Sequence, residues 1–135
     1  MVFIAPLEGT ADGRISYDMP QASRGRWIRG VWVETKDGLL ARFGASENEQ
    51  ELKESIGTKN KKMGLGYLTI GVNPEALPTF LDHQMAKGIV GVHFGNNETF
   101  GGKIKGADYW FGGFSRHATL EVDGRRLVDK GRIIT

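Results

Sequence analysis

Short apolar runs separated by glycine-rich polar turns dominate the chain. These runs are rich in β-branched and aromatic residues, which favour strands. The predicted strands are Val2–Leu7, Arg14–Tyr17, Trp27–Glu34, Leu39–Phe43, Gly64–Val72, Ile89–Phe94 and the two arms of a hairpin over Leu120–Leu127. Asp37-Gly38 and Asp123-Gly124 each carry the dipeptide that favours a type I′ turn. The pattern therefore predicts antiparallel hairpins, the first of which joins Val2–Leu7 to Arg14–Tyr17.

Two segments carry helix signals. Ser46 and Glu49 have the spacing of a capping box, which predicts a helix over 46–56. Thr79, with an acidic residue three positions later and a glycine after Lys87, predicts a second helix over 79–87. Together with the strands, these helices predict a β-rich α+β fold, a barrel-like antiparallel sheet with two short helices.

Composition places the chain among globular proteins. Its 135 residues suit a single domain over 1–135, and its 20 glycines are about twice the usual share of roughly 7%. The lack of cysteine excludes disulfides, thiolate zinc sites and iron–sulfur clusters. No apolar stretch approaches the roughly 20 residues that span a bilayer, and no signal peptide is evident. We therefore expect a cytoplasmic protein with no membrane association.

Candidate catalytic side chains are scattered along the sequence. None of its histidines pairs with another at the helical spacing that binds zinc, and no serine lies in a Gly-x-Ser-x-Gly elbow. A metal site would have to be assembled from His83, His93, Glu98, Asp108 and His117. The alternative is that these are hydrogen-bonded structural or surface residues. The aromatic segment Tyr109–Phe114 indicates either a pocket or buried packing.

Several segments form an ordered set. Ala5–Gly13 matches the pattern P-x-E-G-s-A-d-G, Gly66–Pro74 matches G-E-x-x-I-G-x-N-P, and Thr119–Gly124 matches T-v-x-V-D-G. Gly95-Asn96 with Phe100-Gly101-Gly102 matches a loop between the last two. In this order they resemble the C-terminal half of the thermophilic metallo-aminopeptidases, of the aminopeptidase T and aminopeptidase S type.

The resemblance also implies where the metal ligands of that family would lie. The corresponding positions are Tyr67, Gln84, Gly91, Trp110 and Gly112. None supplies the carboxylate or imidazole that a two-metal site requires. The resemblance thus implies a metal-free relative whose former site has become a packed core or an apolar pocket.

Three functions follow, and we favour the first. It is a metal-site-deficient relative without a cofactor that binds a small molecule or a partner chain. The second is a metallohydrolase (aminopeptidase) or an iron-dependent dioxygenase related to those that open dihydroxypyridine rings, with zinc, cobalt, manganese or iron on relocated ligands. The third is a nucleic-acid-binding module, which the net charge of +2 argues against. The aromatic content further predicts a homo-oligomer or a partner chain; its large members are Phe3, Trp27, Trp32, Trp110, Phe111 and Phe114.

Overall fold

Short β-strands provide most of the regular structure in the computed structural model, which describes residues 1–57, 63–79, 82–106 and 110–134. The strands are β1 (Val2–Ile4), β2 (Gly13–Ser16), β3 (Gln21–Ser23), β4 (Arg26–Ile28), β5 (Trp32–Lys36), β6 (Leu39–Gly44), β7 (Leu65–Ile70), β8 (Val90–Phe94), β9 (Phe111–Ser115), β10 (Leu120–Val122), β11 (Arg125–Asp129) and β12 (Arg132–Ile133). The helix α1 spans Glu49–Ile56, and a short 3-10 helix spans Glu98–Phe100.

The strands form several antiparallel sheets. The largest has the order β1-β7-β8-β9, and the others have the orders β2-β5-β6, β10-β11-β12 and β3-β4. This confirms the β-rich α+β fold. The predicted closure into a barrel does not occur among the described strands, because β1 and β9 remain the two edges of an open sheet.

Both predicted Asp-Gly turns are confirmed. Asp37 and Gly38 have φ values of 50° and 78°, and Asp123 and Gly124 have 52° and 75°. Positive φ at both central positions is the signature of a type I′ turn. These turns close the β5–β6 and β10–β11 hairpins.

The predicted helix over 46–56 forms as α1 and ends at Gly57 as expected, although it begins only at Glu49. The segment predicted as a second helix behaves differently. Its described part from residue 82 onward forms consecutive turns, and residues 80 and 81 lie outside the described residues. In the described part, two backbone groups form hydrogen bonds with Asn73 outside the segment. The Asn73 carbonyl accepts a hydrogen bond from the Lys87 N–H, and the Asn73 N–H donates one to the Met85 carbonyl. These long-range bonds replace helical ones.

The N-terminal pairing also differs from the prediction. β1 pairs with β7, and β2 pairs with β5, so the first two strands do not form a hairpin. The segment between them is held elsewhere, because the Glu8 carboxylate accepts hydrogen bonds from the Lys103 N–H and the Asn97 amide. The predicted strand Trp27–Glu34 is divided into β4 and β5 at Gly30, where φ is 62°.

Two apolar clusters pack against one face of the four-stranded sheet. The first includes Val33, Leu52 and Phe94, all at most 1% exposed, and the second is centred on Val128. The opposite face of the sheet carries aromatic side chains instead. None of the helices in the described ranges is long and apolar enough to cross a membrane.

Candidate functional site

A row of aromatic rings crosses the second face of the four-stranded sheet. Phe3 on β1 stacks on Phe100 at 4.3 Å between ring centroids, and Phe100 contacts Tyr67 on β7 at 4.5 Å. The row continues through His93 on β8 to Trp110, which directly precedes β9. We call these residues the aromatic row.

His93 lies at the centre of the aromatic row and is 2% exposed. Its imidazole is stacked between the rings of Tyr67, at 4.6 Å, and Trp110, at 5.0 Å. Nε2 lies 3.3 Å from the Thr69 hydroxyl, whereas Nδ1 is buried with no hydrogen-bond partner in the described part of the chain. Burial lowers the pKa of His93 to about 4, so the ring is neutral at neutral pH.

Two glycines provide the space for this ring. In the register of the sheet, Gly112 lies directly across from His93, and Gly91 precedes His93 on the same face of β8. A Cβ atom at Gly91 would overlap the Nε2 side of the ring, and one at Gly112 would overlap Nδ1. The imidazole therefore occupies the volume that a side chain at position 112 would fill, and it shares with the Thr69 hydroxyl and the Phe114 ring the volume that one at position 91 would fill.

The structure brings together four of the five positions that the family resemblance singled out. Tyr67, Gly91, Trp110 and Gly112 all lie against His93. Gln84 is exposed on the turn that begins at residue 82. The assignment of these five positions as former metal ligands stays a prediction.

The alternative ligand candidates are dispersed. The ring of His83 packs edge-on against Phe114, which His93 also contacts. Glu98 is exposed in the 3-10 helix, and His117 is exposed and pairs with Asp18 at 3.2 Å. Asp108 lies outside the described residues. Within the described ranges, which leave out Asp108, no three histidine, aspartate or glutamate side chains are grouped as metal ligands require.

A groove of about 310 Å³ runs along the β9 edge of the sheet beside Trp110. Its described lining residues are Pro20, Gln21, Ala22, His83, Trp110, Phe111, Gly112 and Phe114, none of which carries a carboxylate, an ammonium or a guanidinium group. Trp110 is 49% exposed here, and its Nε1–H donates to the Tyr67 hydroxyl at 2.7 Å. Burial raises the pKa of Tyr67, which keeps its phenol protonated.

The backbone of β9 adds polar groups to this groove. The Phe114 carbonyl accepts the Met19 N–H at 3.2 Å, so the polar groups of Phe114 point away from β8. Because bonding alternates along an antiparallel pair, the N–H and C=O of Gly112 point in the same outward direction. Gly112 therefore offers an adjacent donor and acceptor next to the exposed ring of Trp110.

Sequence reasoning named His93 only as a possible relocated ligand and did not find its central position. Its enclosure depends on the register of β8 against β7 and β9, which spacing along the chain does not specify. The available signal was weak: a histidine two residues after a glycine in an apolar strand, with further glycines after a tryptophan.

The fold and site define a β-rich domain with an aromatic centre where the resemblance places metal ligands. A model of the thermophilic metalloprotease family (M29) matches residues 1–75, more than half of the chain, and the chain belongs to this family. Among solved structures, 2,5-dihydroxypyridine dioxygenase from Pseudomonas putida KT2440 has the same fold, with a TM-score of 0.76 and 19% identity. That match covers 98% of this chain and 42% of the dioxygenase chain. No sequence among the curated proteins matches.

Proposed function

We propose that this member of the thermophilic metalloprotease family works without a metal and binds a small, planar, uncharged molecule against Trp110. The observation that carries the proposal is the neutral imidazole of His93, enclosed by Tyr67, Trp110 and Gly112. The family resemblance assigns the positions of Tyr67, Trp110 and Gly112, but not that of His93, to metal ligands. A side chain that reached a metal from position 91 or 112 would need the volume that the imidazole fills.

The chemistry of the donors supports the absence of a metal. Trp110 has no side-chain ligand, and Tyr67 would have to lose a proton that burial makes harder to remove. A two-metal site needs several carboxylate or imidazole ligands around each cation. Among the described residues His93 has no second imidazole or carboxylate grouped with it, and both of its nitrogens are enclosed, one beside Thr69 and one under Gly112.

The groove defines the chemistry of the proposed ligand. The exposed half of Trp110 offers a flat apolar surface for ring stacking. The backbone N–H and C=O of Gly112 are complementary to a lactam, in which a donor and an acceptor are adjacent. The described lining has no carboxylate, ammonium or guanidinium group to pair with an ionised ligand. The compound in the name of the structural neighbour, 2,5-dihydroxypyridine, is planar and has such a lactam in its pyridone form.

Titration with 2-pyridone, followed by calorimetry and by the tryptophan indole N–H resonances, tests this function. The protein has three tryptophans, and we expect only the Trp110 resonance to shift strongly. Trp110→Ala should abolish binding, whereas the matched change Trp27→Ala, outside the described lining of the groove, should leave it intact. N-methyl-2-pyridone, which lacks the donor, should bind about tenfold more weakly. Equal affinity for both compounds, or a shift centred on Trp27, would contradict the proposal.

Family membership and the dioxygenase fold support a second candidate, a metal-dependent hydrolase or dioxygenase. Elemental analysis of the purified protein separates the two. We expect no stoichiometric zinc, cobalt, manganese or iron, and no aminopeptidase activity after zinc or cobalt is added. Bound metal at one equivalent, with turnover lost in His93→Ala or Asp108→Asn, would establish the enzyme instead.

The exposed ends of the aromatic row support an additional proposal, that this face meets a second copy or a partner chain. Phe3 is 41% exposed and Trp110 is 49% exposed, although both contact other rings. Apolar surface of this kind is typical of interfaces. Sedimentation should show self-association that Phe3→Ser weakens, and a strict monomer at high concentration would refute the homo-oligomer.

A further inference from the structure

Two strand edges line the groove beside Trp110, one on each side. Residues 110–112 at the start of β9 line one side, and residues 20–22 at the start of β3 line the other. Side chains of consecutive strand residues point to opposite faces, so a groove that contacts three residues in a row runs along the edge of each strand. The described lining contains no residue of β4, which pairs with the other edge of β3.

The backbone of Ala22 directs its polar groups toward the open edge of β3. Ala22 lies across from Trp27 on β4, and the Trp27 carbonyl accepts a hydrogen bond from the Asn48 side-chain amide at 2.7 Å, away from β3. Ala22 and Trp27 are therefore a non-hydrogen-bonded pair, and the N–H and C=O of Ala22 point away from β4. The turn at Arg24 and Gly25, with φ values of 46° and 78°, requires the same alternation, because the residues that flank a type I′ turn bond to each other.

The two edges are joined at one end of the groove and separate beyond it. Met19, which precedes β3, donates its N–H to the Phe114 carbonyl on β9 at 3.2 Å. Within the described ranges, the outward groups of Gly112 and Ala22 form no such hydrogen bond across the groove. Each edge therefore offers one backbone donor and one backbone acceptor to a molecule that lies between them.

We propose that the ligand of this groove is a planar ring with a lactam on each of two opposite edges, a 2,5-diketopiperazine, which is a cyclic dipeptide. This rests on the proposed function, in which one lactam pairs with Gly112 and the ring lies against Trp110. The second lactam pairs with Ala22. The groove volume of about 310 Å³ holds roughly ten non-hydrogen atoms at about 30 Å³ each, which is the size of the smallest cyclic dipeptides.

The geometry of the amide favours a ring over a linear peptide. A lactam in a six-membered ring is cis, so its N–H and C=O lie on the same edge and can bond to both polar groups of one strand residue. A trans amide places the two groups on opposite sides, and the cis form is rare outside a ring. A single amide of a linear peptide therefore cannot pair with both groups of Gly112.

Calorimetry and amide NMR with two matched ligands test the second contact. Cyclo(Gly-Gly) has two lactams, and 2-piperidone is a ring of the same size with one. We expect cyclo(Gly-Gly) to bind about tenfold more tightly and to shift the amide resonances of both Gly112 and Ala22, whereas 2-piperidone should shift Gly112 alone. Equal affinities, or an unchanged Ala22 resonance, would overturn the proposal. Binding of N-acetylglycine N-methylamide as tight as that of cyclo(Gly-Gly) would assign the groove to an extended peptide instead.

Ala22→Pro tests the contact from the side of the protein. Proline removes the outward N–H, and an edge strand tolerates it where that group has no partner in the sheet. The variant should bind cyclo(Gly-Gly) about tenfold more weakly. Its affinity for 2-piperidone and 2-pyridone should change by less than about twofold. Ala22→Val, which retains the N–H, is the matched control and should bind all three ligands like the wild type.

The outcomes separate the second contact from the proposed function. If 2-pyridone binds but Ala22→Pro leaves the affinity for cyclo(Gly-Gly) unchanged, the contact with Ala22 is wrong and the proposed function stands. If neither 2-pyridone nor the two other rings bind, both are wrong. Should Ala22→Pro fail to fold in a melting experiment, the comparison of cyclo(Gly-Gly) with 2-piperidone on the wild-type chain still decides.

Discussion

Replacing Gly112 by alanine tests the packing at the centre of the aromatic row. The backbone at position 112 does not have positive φ, so alanine is compatible with its conformation. The added Cβ would overlap Nδ1 of His93 and lie 2.9 Å from the Val92 carbonyl oxygen. The substitution therefore acts through steric overlap rather than through backbone strain.

The cost follows from how tightly the imidazole is held. His93 is 2% exposed and is stacked between Tyr67 and Trp110, so it has no free volume to enter. Overpacking of a filled core costs about 1–3 kcal/mol, and each ring pair that separates costs about 0.5–1.5 kcal/mol. We expect Gly112→Ala to lower the free energy of unfolding by about 2–3 kcal/mol. For a domain of this size, Tm should fall by about 6–12 °C.

Urea unfolding of a double-mutant cycle with His93→Ala measures this coupling. Without the imidazole, only the contact with the Val92 carbonyl oxygen remains, so Gly112→Ala should cost about 1 kcal/mol or less. The coupling free energy between the two positions should then be about 1–2 kcal/mol. The reasoning would be refuted if Gly112→Ala cost the same in both backgrounds, or if it left the wild-type stability unchanged.

Three other perturbations test separate features of the fold. The pKa of His93 is about 4 in the folded protein against 6.5 when unfolded. The free energy of unfolding should therefore be highest above about pH 6.5 and fall by up to about 3 kcal/mol toward pH 4, because the unfolded chain takes up the proton first. In urea unfolding, His93→Ala should lack this part of the pH dependence. The side chain of Asn97 is 1% exposed and forms hydrogen bonds with two backbone groups and a carboxylate. Asn97→Ala should therefore lower the free energy of unfolding by about 2–4 kcal/mol, measured by calorimetry. A loss of stability no larger than the experimental error would show that these hydrogen bonds do not stabilise the fold. Gly38→Ala should lower Tm more than the matched Gly124→Ala. Both sites have positive φ, but only a Cβ at Gly38 would lie 2.7 Å from the Gly9 backbone. Equal losses of Tm would show that the backbone conformation alone determines the cost of the substitution.

Local chemistry explains which parts of the fold were predictable. The Asp-Gly turns depend only on two residues that tolerate positive φ, and they form as predicted. The end of α1 at Gly57 is likewise local. The pairing of β1 with β7 is not local, because five other strands, β2 to β6, and the helix α1 lie between them in the sequence. The turns after residue 82 combine local bonds, such as the one from the Met85 N–H to the Asp82 carbonyl, with two bonds to Asn73, which is distant in sequence and which helix signals do not reveal.

The sequence named four positions that the structure places against His93, but it did not predict how they are arranged. The resemblance named Tyr67, Gly91, Trp110 and Gly112 because family motifs fix positions along the chain. It could not show that one imidazole occupies the space among all four, since that depends on the rotamer of His93 and on strand register. Gln84, the fifth position, lies exposed on the turns that follow residue 82.

The geometry around His93 also limits how a metal site could return under the proposed function. A histidine or aspartate at position 112 would have to displace the imidazole, because the Cβ atom alone already overlaps it. The displaced ring would leave the Tyr67 and Trp110 surfaces unpaired, and a lone new carboxylate would be buried without a cation or a second ligand. Each single step toward a ligand set therefore destabilises the fold before it can bind a metal. Under the proposed function, substitutions at 91, 112 and 93 would have to occur together before a ligand set could form at these positions, so the stacked imidazole would oppose the formation of a metal site there.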